Sequence, residues 1–243
     1  MQEKLYELTL DLLKNQGYFN AIAKNEKINY YWSEDWSEEF YIKQAQLGFI
    51  STTYESYDKI VLLPELQFEY GVLEFQNLHI SSKVKKLIKE DRFQLTFNTC
   101  FEKTMEQIAK QHHYNWLKEP YITLLKQLYN KQNSKQKFSL HSIELIAKEE
   151  SNKLIAGEIG YVIGSAYTSL TGFSLREKRY NNCGKLQLVY LGEHLKKQGF
   201  TFWNLGHPHM AYKKHLGIDI YSRKDFLPKW QEATNQKQKD LYE

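Results

Sequence analysis

Cysteine is scarce in this chain, with only Cys100 and Cys183 among 243 residues. The two lie far apart, without the close spacing of a zinc site or the density of a disulfide scaffold, and we expect both to be free thiols. No apolar run approaches the roughly 18 residues that a membrane helix needs, and the first residues lack the basic start and apolar block of a signal peptide. We therefore expect a cytoplasmic protein that does not enter a membrane.

Several catalytic signatures are also missing. The chain has no G-x-S-x-G elbow, and neither cysteine has an evident base partner. Internal repeats and long Pro/Gly/Ser linkers are absent as well. The net charge is only +4, so a nucleic-acid partner cannot be inferred from the total and must be sought in local clusters.

The composition is that of a folded globular protein, with 42% hydrophobic, 15% aromatic and 26% charged residues. Its length suits one large domain or one domain with a smaller attachment, and we favour the second. The interpretation is a small N-terminal domain over residues 1–76 and a larger domain over 77–243. In the first part, Ser37 is predicted to cap a helix that ends at Gly48.

The second part carries stronger periodic signals. FEKTMEQIAKQ and EPYITLLKQLYNK each place apolar residues on one helical stripe. Three strands are predicted next, at 141–148, 153–163 and 165–173, as an antiparallel meander. A helix in GKLQLVYLGEHLKKQG, stopped by Gly199, and a strand in FTFWNLG follow. Helices, a meander, a helix and a strand indicate an α+β fold.

A basic cluster lies in SSKVKKLIKEDR, which begins at Ser81. On a helix capped by one of the two serines, three of the lysines share a face and could contact phosphates. The alternative is a solvated helix face without a partner. The lysines concerned are Lys83, Lys85, Lys86 and Lys89.

A corner of possible chemistry lies in FWNLGHPHMAYKKHLG, from Phe202 to Gly217. It is predicted to be the end of a buried strand, a polar corner and a short helix. Asn204, His207 and His209 fall within six positions there. The histidines are either catalytic or ordinary residues of a turn fixed by Pro208.

The order of motifs along the chain resembles one family. NLHIS, TFNTCFE, Trp116, HSIEL, LIAGEIGYVIG, GFS and HLGIDIYSRKDFL occur in that order. This series is similar to that of the leucyl/phenylalanyl-tRNA protein transferases, over roughly Trp36 to Trp230. The resemblance implies a Gcn5-type N-acetyltransferase-like domain, with a mixed, largely antiparallel sheet flanked by helices.

It also implies an activity and its partners. Members of the family transfer leucine or phenylalanine from tRNA to the N-terminal α-amine of a protein, typically at lysine or arginine, and so feed N-degron degradation. The implied partners are an aminoacyl-tRNA and a protein or peptide N-terminus. We expect a monomer with no metal and no organic cofactor. The lysine cluster is then the expected tRNA surface, and the residues implied to surround the aminoacyl side chain are Trp116, Tyr167, Leu170, Leu191, Leu195 and Trp203.

The chain departs from the family pattern at the implied catalytic corner. Asn204 and Gly206 stand where the family has aspartate and glutamine, and Leu170 where it has glutamate. Conversely, Glu158 occupies an apolar, often methionine, position. In a hairpin centred on Gly164, Glu158 and Leu170 would face each other, so we expect the carboxylate to have moved across the ladder into the pocket. The alternative is that Glu158 points to solvent.

The loss of the aspartate is tolerable on chemical grounds. An α-amine has a pKa of about 7.7–8.0, so about a tenth of it is neutral at pH 7. Asn204 could orient the amine by accepting a hydrogen bond, and His207 or His209 could take its proton. The predicted catalytic residues are Asn204, His207 and Glu158. Alternative functions are an acyl-CoA-dependent N-acyltransferase, since RYNNCGKLQL loosely resembles a pyrophosphate-binding loop, or a tRNA- or protein-binding relative that has lost catalysis.

Overall fold

A computed structural model describes residues 5–56, 59–111, 116–131 and 137–242 of the chain. Its helices are α1 Leu10–Lys14, α2 Gln16–Ala23, α3 Glu38–Gln46, α4 Ser82–Glu90, α5 Phe101–Gln111, α6 Glu119–Lys131, α7 Cys183–Lys197, α8 Ala211–Leu216 and α9 Arg223–Asn235. Its strands are β1 Tyr6–Glu7, β2 Tyr31–Trp32, β3 Ile50–Ser56, β4 Lys59–Glu65, β5 Glu69–Leu73, β6 Phe93–Phe97, β7 Ser139–Ala147, β8 Lys153–Ile163, β9 Ala166–Ser174, β10 Phe202–Asn204 and β11 Asp219–Ser222.

Seven strands form the central sheet, in the order β11-β5-β10-β9-β8-β7-β6. Five of the six neighbouring pairs are antiparallel, and only β9 and β10, which α7 connects, run parallel. The predicted α+β class and the mixed, largely antiparallel sheet with flanking helices are confirmed. The antiparallel meander β7-β8-β9 is also confirmed, and short turns connect its strands.

The central sheet contributes to two hydrophobic clusters. Along β8, Ile159, Tyr161 and Ile163 belong to the cluster that includes α3, α5, α6 and α9. Ala156 and Val162 belong instead to the cluster that includes α4 and α7. This alternation follows from the pleat, since successive side chains of a strand point to opposite faces. The side chains of β8 are therefore divided between a face towards α5 and a face towards α7, and each buried polar group below lies on one of these faces.

The N-terminal part is built around α3 and the antiparallel pair β3-β4. The Ser37 side chain accepts a hydrogen bond from the Phe40 amide and so caps α3, as predicted. Gly48 has a φ of 93°, the left-handed conformation of a glycine just beyond a helix. β5 precedes residue 76 yet pairs with β10 and β11 in the central sheet. The division into domains at residue 76 stays a prediction.

Within the described residues, no helix combines the length and the apolar character required to cross a bilayer.

Candidate active site

A cavity of about 680 Å³ opens where β9 and β10 separate. β10 pairs with β9 only as far as Thr168, opposite Asn204, whereas β9 continues to Ser174. The unpaired side of β9 forms one wall, and the segment that leads into α7 forms another. The lining includes Trp116, Gly157, Glu158, Ser169, Leu170, Phe173, Arg176, Asn181, Asn182, Lys185, Gln187, Leu188, Leu205, Tyr212 and Lys213. The volume is that of a pocket for a small organic group.

Glu158 is the acidic residue in this lining, and it is only 3% exposed. One carboxylate oxygen, Oε1, accepts hydrogen bonds from the Tyr167 hydroxyl (2.9 Å) and the Ser169 hydroxyl (2.6 Å). The other, Oε2, accepts one from Gln187 Nε2 at 3.1 Å. Burial raises the pKa of Glu158 above its usual value, while these hydrogen bonds and the charge of Lys213 oppose the rise. The predicted carboxylate therefore does lie at the cavity, and the alternative that it points to solvent is wrong.

The network around Glu158 depends on a glycine. A Cβ atom at Gly160 would lie 2.2 Å from the Tyr167 hydroxyl oxygen. Only glycine at this position therefore leaves room for the Tyr167 side chain to lie over β8 and reach the carboxylate of Glu158. Trp203 supports the arrangement from β10, since its Nε1 donates to the Ser169 hydroxyl at 2.8 Å. Its ring also meets that of Tyr167 edge-on, with centroids 6.0 Å apart.

The predicted register of the hairpin is wrong. Glu158 pairs with Gly172, because a β-bulge lies where Ile159 pairs with Thr171 and Gly160 pairs with Ser169. Leu170 is the extra residue of that bulge and has no partner on β8. The turn also contributes to the error, since it occupies residues 164–165 rather than centring on Gly164. Glu158 therefore does not replace a carboxylate at position 170 by direct exchange across the ladder.

The residues predicted to surround an aminoacyl side chain fall into three groups. Trp116 and Leu170 line the cavity. Tyr167 and Trp203 are fully buried and orient the groups that line it. Leu191 and Leu195 are also fully buried, in the cluster below α7, and do not contribute to the lining. Their position is that of ordinary core packing residues.

The corner after β10 is occupied by its own hydrogen bonds. Asn204 is 1% exposed, and its Oδ1 accepts from the Gly206 amide at 2.9 Å, as in a turn capped by an asparagine side chain. His207 Nε2 lies 2.8 Å from Glu65 Oε2, and His209 Nε2 lies 3.0 Å from Glu69 Oε2. None of the three contributes to the cavity lining. Their catalytic role stays a prediction, which these positions do not favour.

One residue of the cavity escaped the sequence reasoning, namely Lys213 on α8. It is 6% exposed, although lysine is rarely buried. Its Nζ donates hydrogen bonds to the carbonyl oxygens of Leu205 and of His207, the latter at 2.8 Å. Burial lowers its pKa to about 8, and the carboxylate of Glu158 acts in the opposite direction. The only sequence signal is a pair of lysines on a short helix, which is more typical of a surface.

The basic cluster lies on α4, as predicted, with the Ser81 side chain accepting from the Val84 amide. All four lysines are exposed. In the part of the chain that the structure describes, none of them forms an ion pair. α4 packs against α7, whose N-terminal residues line the cavity. These cations are therefore available for a polyanion.

Two of the recognised motifs lie against each other. Glu144 of HSIEL is fully buried and accepts hydrogen bonds from the backbone amides of Thr99 and Cys100 in TFNTCFE. Asn98 Oδ1 likewise accepts from the Ser142 amide at 2.9 Å. Both contacts lie immediately before α5 and outside the cavity lining. In this chain these motif residues make structural contacts.

Solved structures that the chain resembles include FemX, at 13% identity and a TM-score of 0.49, with 86% of this chain and 76% of that chain covered. Another is a GCN5-related glucosamine N-acetyltransferase region of a fungal multi-domain GH3 β-N-acetylglucosaminidase, at 11% identity and a TM-score of 0.45, with 77% and 22% covered. Both TM-scores lie below 0.5, so the family assignment depends on sequence alone.

Relatives by sequence are more informative. A leucyl/phenylalanyl-tRNA–protein transferase of Paracoccus denitrificans is 26% identical over 143 residues, which are 58% of this chain and 61% of the relative. One of Maricaulis maris is 26% identical over 168 residues, 68% of this chain and 71% of that protein. Residues 72–231, about two thirds of the chain and including every residue of the cavity lining, match the family described as leucyl/phenylalanyl-tRNA protein transferase. The chain belongs to this family.

Proposed function

We propose that the protein transfers an aminoacyl group from an aminoacyl-tRNA to the α-amino group at the N-terminus of another protein. The observation that carries the proposal is the cavity between β9 and β10, which lies wholly within the family match. Its size accommodates an amino acid with part of the terminal adenosine. We further propose that the group is leucine- or phenylalanine-like and that the products enter N-degron degradation, as is typical of the family.

The walls of the cavity suit the two ends of such a substrate. Trp116, Leu170 and Leu188 supply apolar surface for a side chain. Arg176 and Lys185 supply positive charge near the beginning of α7, where the phosphate of a terminal nucleotide would be favoured. An ester between an amino acid and a ribose has this combination of an apolar group and an anion.

The lysines of α4 supply the remaining requirement, a surface for the tRNA backbone. Their charges are exposed and unpaired within the described residues, so they can displace counterions from phosphates. Because α4 packs on α7, an acceptor stem held by α4 would lie beside the helix that borders the cavity. Affinity for tRNA should therefore depend on salt and on these side chains.

The test of the activity offers the purified protein a panel of charged tRNAs and peptides with different N-terminal residues, and follows transfer of a labelled amino acid. Transfer to an N-terminal amine is expected. No transfer from any tRNA, together with acetyl-CoA-dependent acylation, would favour an N-acyltransferase. Neither activity, with salt-dependent tRNA binding, would indicate a binding protein without catalysis.

The tRNA surface is tested by the double variant Lys85→Ala/Lys89→Ala. We expect about tenfold weaker tRNA binding at low salt and a shallower dependence of log Kd on log salt, by about one unit per lost phosphate contact. Lys196→Ala/Lys197→Ala, at exposed positions near the end of α7, is the control with the same change of charge. Equal weakening by both variants would contradict a specific role for α4.

A further inference from the structure

Lys213 differs from the other lysines of the chain described above, because it is buried in the wall of the cavity. Placing a lysine there is unfavourable unless its ammonium group is compensated. The compensation comes from two main-chain carbonyls of the corner after β10, those of Leu205 and His207. This fixes the position of the nitrogen at the point where the corner borders the cavity.

The ammonium group of Lys213 has one unused hydrogen-bond donor. It has three N–H bonds, and two of them go to the carbonyls. For the part of the chain that the structure describes, no third acceptor lies within hydrogen-bonding distance of Nζ. Since Lys213 lines the cavity, the remaining N–H is available to a bound group. That group must be an acceptor, such as a carbonyl oxygen.

The charges around Lys213 come from several elements. Glu158 on β8 attracts the ammonium group and opposes the fall of its pKa to about 8. The ring of Tyr212, on the same helix, lies with its centroid 5.9 Å from Nζ. Arg176 and Lys185 also line the cavity and add positive charge from the segment that leads into α7 and from α7 itself. Because the pKa of Lys213 stays at about 8 despite its burial, the ammonium form predominates at neutral pH.

We propose, building on the aminoacyl transfer proposed above, that the Lys213 ammonium is a catalytic group that donates a hydrogen bond to the carbonyl oxygen of the aminoacyl ester. The amine nitrogen forms a bond to the ester carbon, and the electron pair of the C=O bond moves to the oxygen, where Lys213 stabilises it. When the C=O bond re-forms, the ester C–O bond breaks and its electron pair goes to the ribose oxygen. The proton lost by the amine ends on the ribose oxygen, and the Lys213 ammonium keeps its three protons throughout.

Two substitutions separate this role from a purely structural one. Lys213→Met keeps the length of the side chain and removes the donor, so the single-turnover rate constant should fall about 100-fold. Binding of the charged tRNA should stay within about twofold, since that contact strengthens only as charge develops on the oxygen. Lys213→Arg keeps a cation that can donate to both carbonyls and to the substrate, and should retain most of the activity.

The pH dependence gives a second, independent readout. In the wild-type protein the rate, corrected for spontaneous ester hydrolysis, should rise as the acceptor α-amine loses its proton and then fall above about pH 8, because the Lys213 ammonium loses its proton. In Lys213→Arg this fall should be absent, since a guanidinium stays charged. A structural role would change the melting temperature of both variants without moving the alkaline limb.

The outcomes are distinct. No transfer by the wild-type protein would refute the proposed activity itself. Transfer by Lys213→Met within about threefold of wild type, or the same alkaline fall in Lys213→Arg as in wild type, would overturn the role of Lys213 while leaving the activity intact. If Lys213→Met does not fold, the comparison of the two pH profiles decides.

Discussion

Two buried glutamates lie almost side by side in the sheet and serve different purposes. Glu144 pairs with Gly157, and its neighbour Ile143 pairs with Glu158. Because side chains alternate along a strand, the two carboxylates point to opposite faces, Glu144 towards α5 and Glu158 towards α7. Their exposed fractions are 0% and 3%, so burial alone does not distinguish them.

Their hydrogen-bond donors do distinguish them. Glu144 accepts from two backbone amides just before α5, and from the hydroxyls of Thr96, Thr99 and Ser142. Its charge also suits the N-terminus of that helix. In the described part of the chain, the hydrogen bonds to Glu158 come from the side chains of Tyr167, Ser169 and Gln187, and it borders a cavity. A buried carboxylate held by backbone amides is part of the fold, whereas one held by side chains at a cavity remains available to a ligand.

The largest expected effect follows from removing the charge of each glutamate in turn. Glu144→Gln places an amide group among five donors, two of which belong to the backbone and cannot turn away, so we expect a loss of about 4 kcal/mol in unfolding free energy. Glu158→Gln should cost less than about 1 kcal/mol, because Gln187 can flip its amide to present an oxygen. Urea denaturation of both variants measures the difference. Equal losses would remove the distinction between the two sites.

The next largest expected effect is a loss of stability at low pH caused by His141, which lies on the same face of the sheet as Glu158. It is 3% exposed, and burial lowers its pKa from 6.5 to about 4. The unfolded chain then binds the proton more tightly, so the contribution of His141 is complete above pH 6.5 and is lost as pH falls towards 4. The loss should reach about 3 kcal/mol. Denaturation of wild type and His141→Gln across this range tests it, and a parallel decline in both would contradict the assignment.

The smallest expected effect concerns which aminoacyl-tRNA the protein uses as the source of the amino acid. If Glu158 is available to the substrate, Glu158→Met should raise the ratio of transfer from leucyl- or phenylalanyl-tRNA to transfer from tRNAs with polar or cationic amino acids, by about tenfold. The control is Glu193→Met at an exposed position of α7. Competition between two charged tRNAs in one reaction gives the ratio directly. An unchanged ratio would place Glu158 with Glu144 among the purely structural carboxylates.

The sequence predicted the local elements of the fold well and the cavity less well. α7, the meander and the caps at Ser37 and Ser81 depend on nearby residues, whose spacing is visible in one chain. The insertion of β5 between β10 and β11 depends on pairing between residues more than 100 positions apart, for which a single sequence gives no signal.

The site shows the same limit. Glu158 was found because a charge within an apolar strand is conspicuous. Lys213 was missed because its burial comes from carbonyls of the corner, not from any pattern on α8. The hydrogen bond of Asn204 was not foreseen either, since its partner is a backbone amide, which the residue types of the corner do not display.

The bulge at Leu170 has a further consequence, for how relatives can be aligned. Before it, Tyr167 and Ser169 share the face of Glu158; after it, Phe173 joins the cluster on the side of α5, although all three numbers are odd. A relative without the extra residue would reverse the faces of the last part of this strand. Position-by-position comparison across β9 is therefore valid only where the bulge is shared, because a single deletion there would turn side chains on the face of Glu158 to the face of α5.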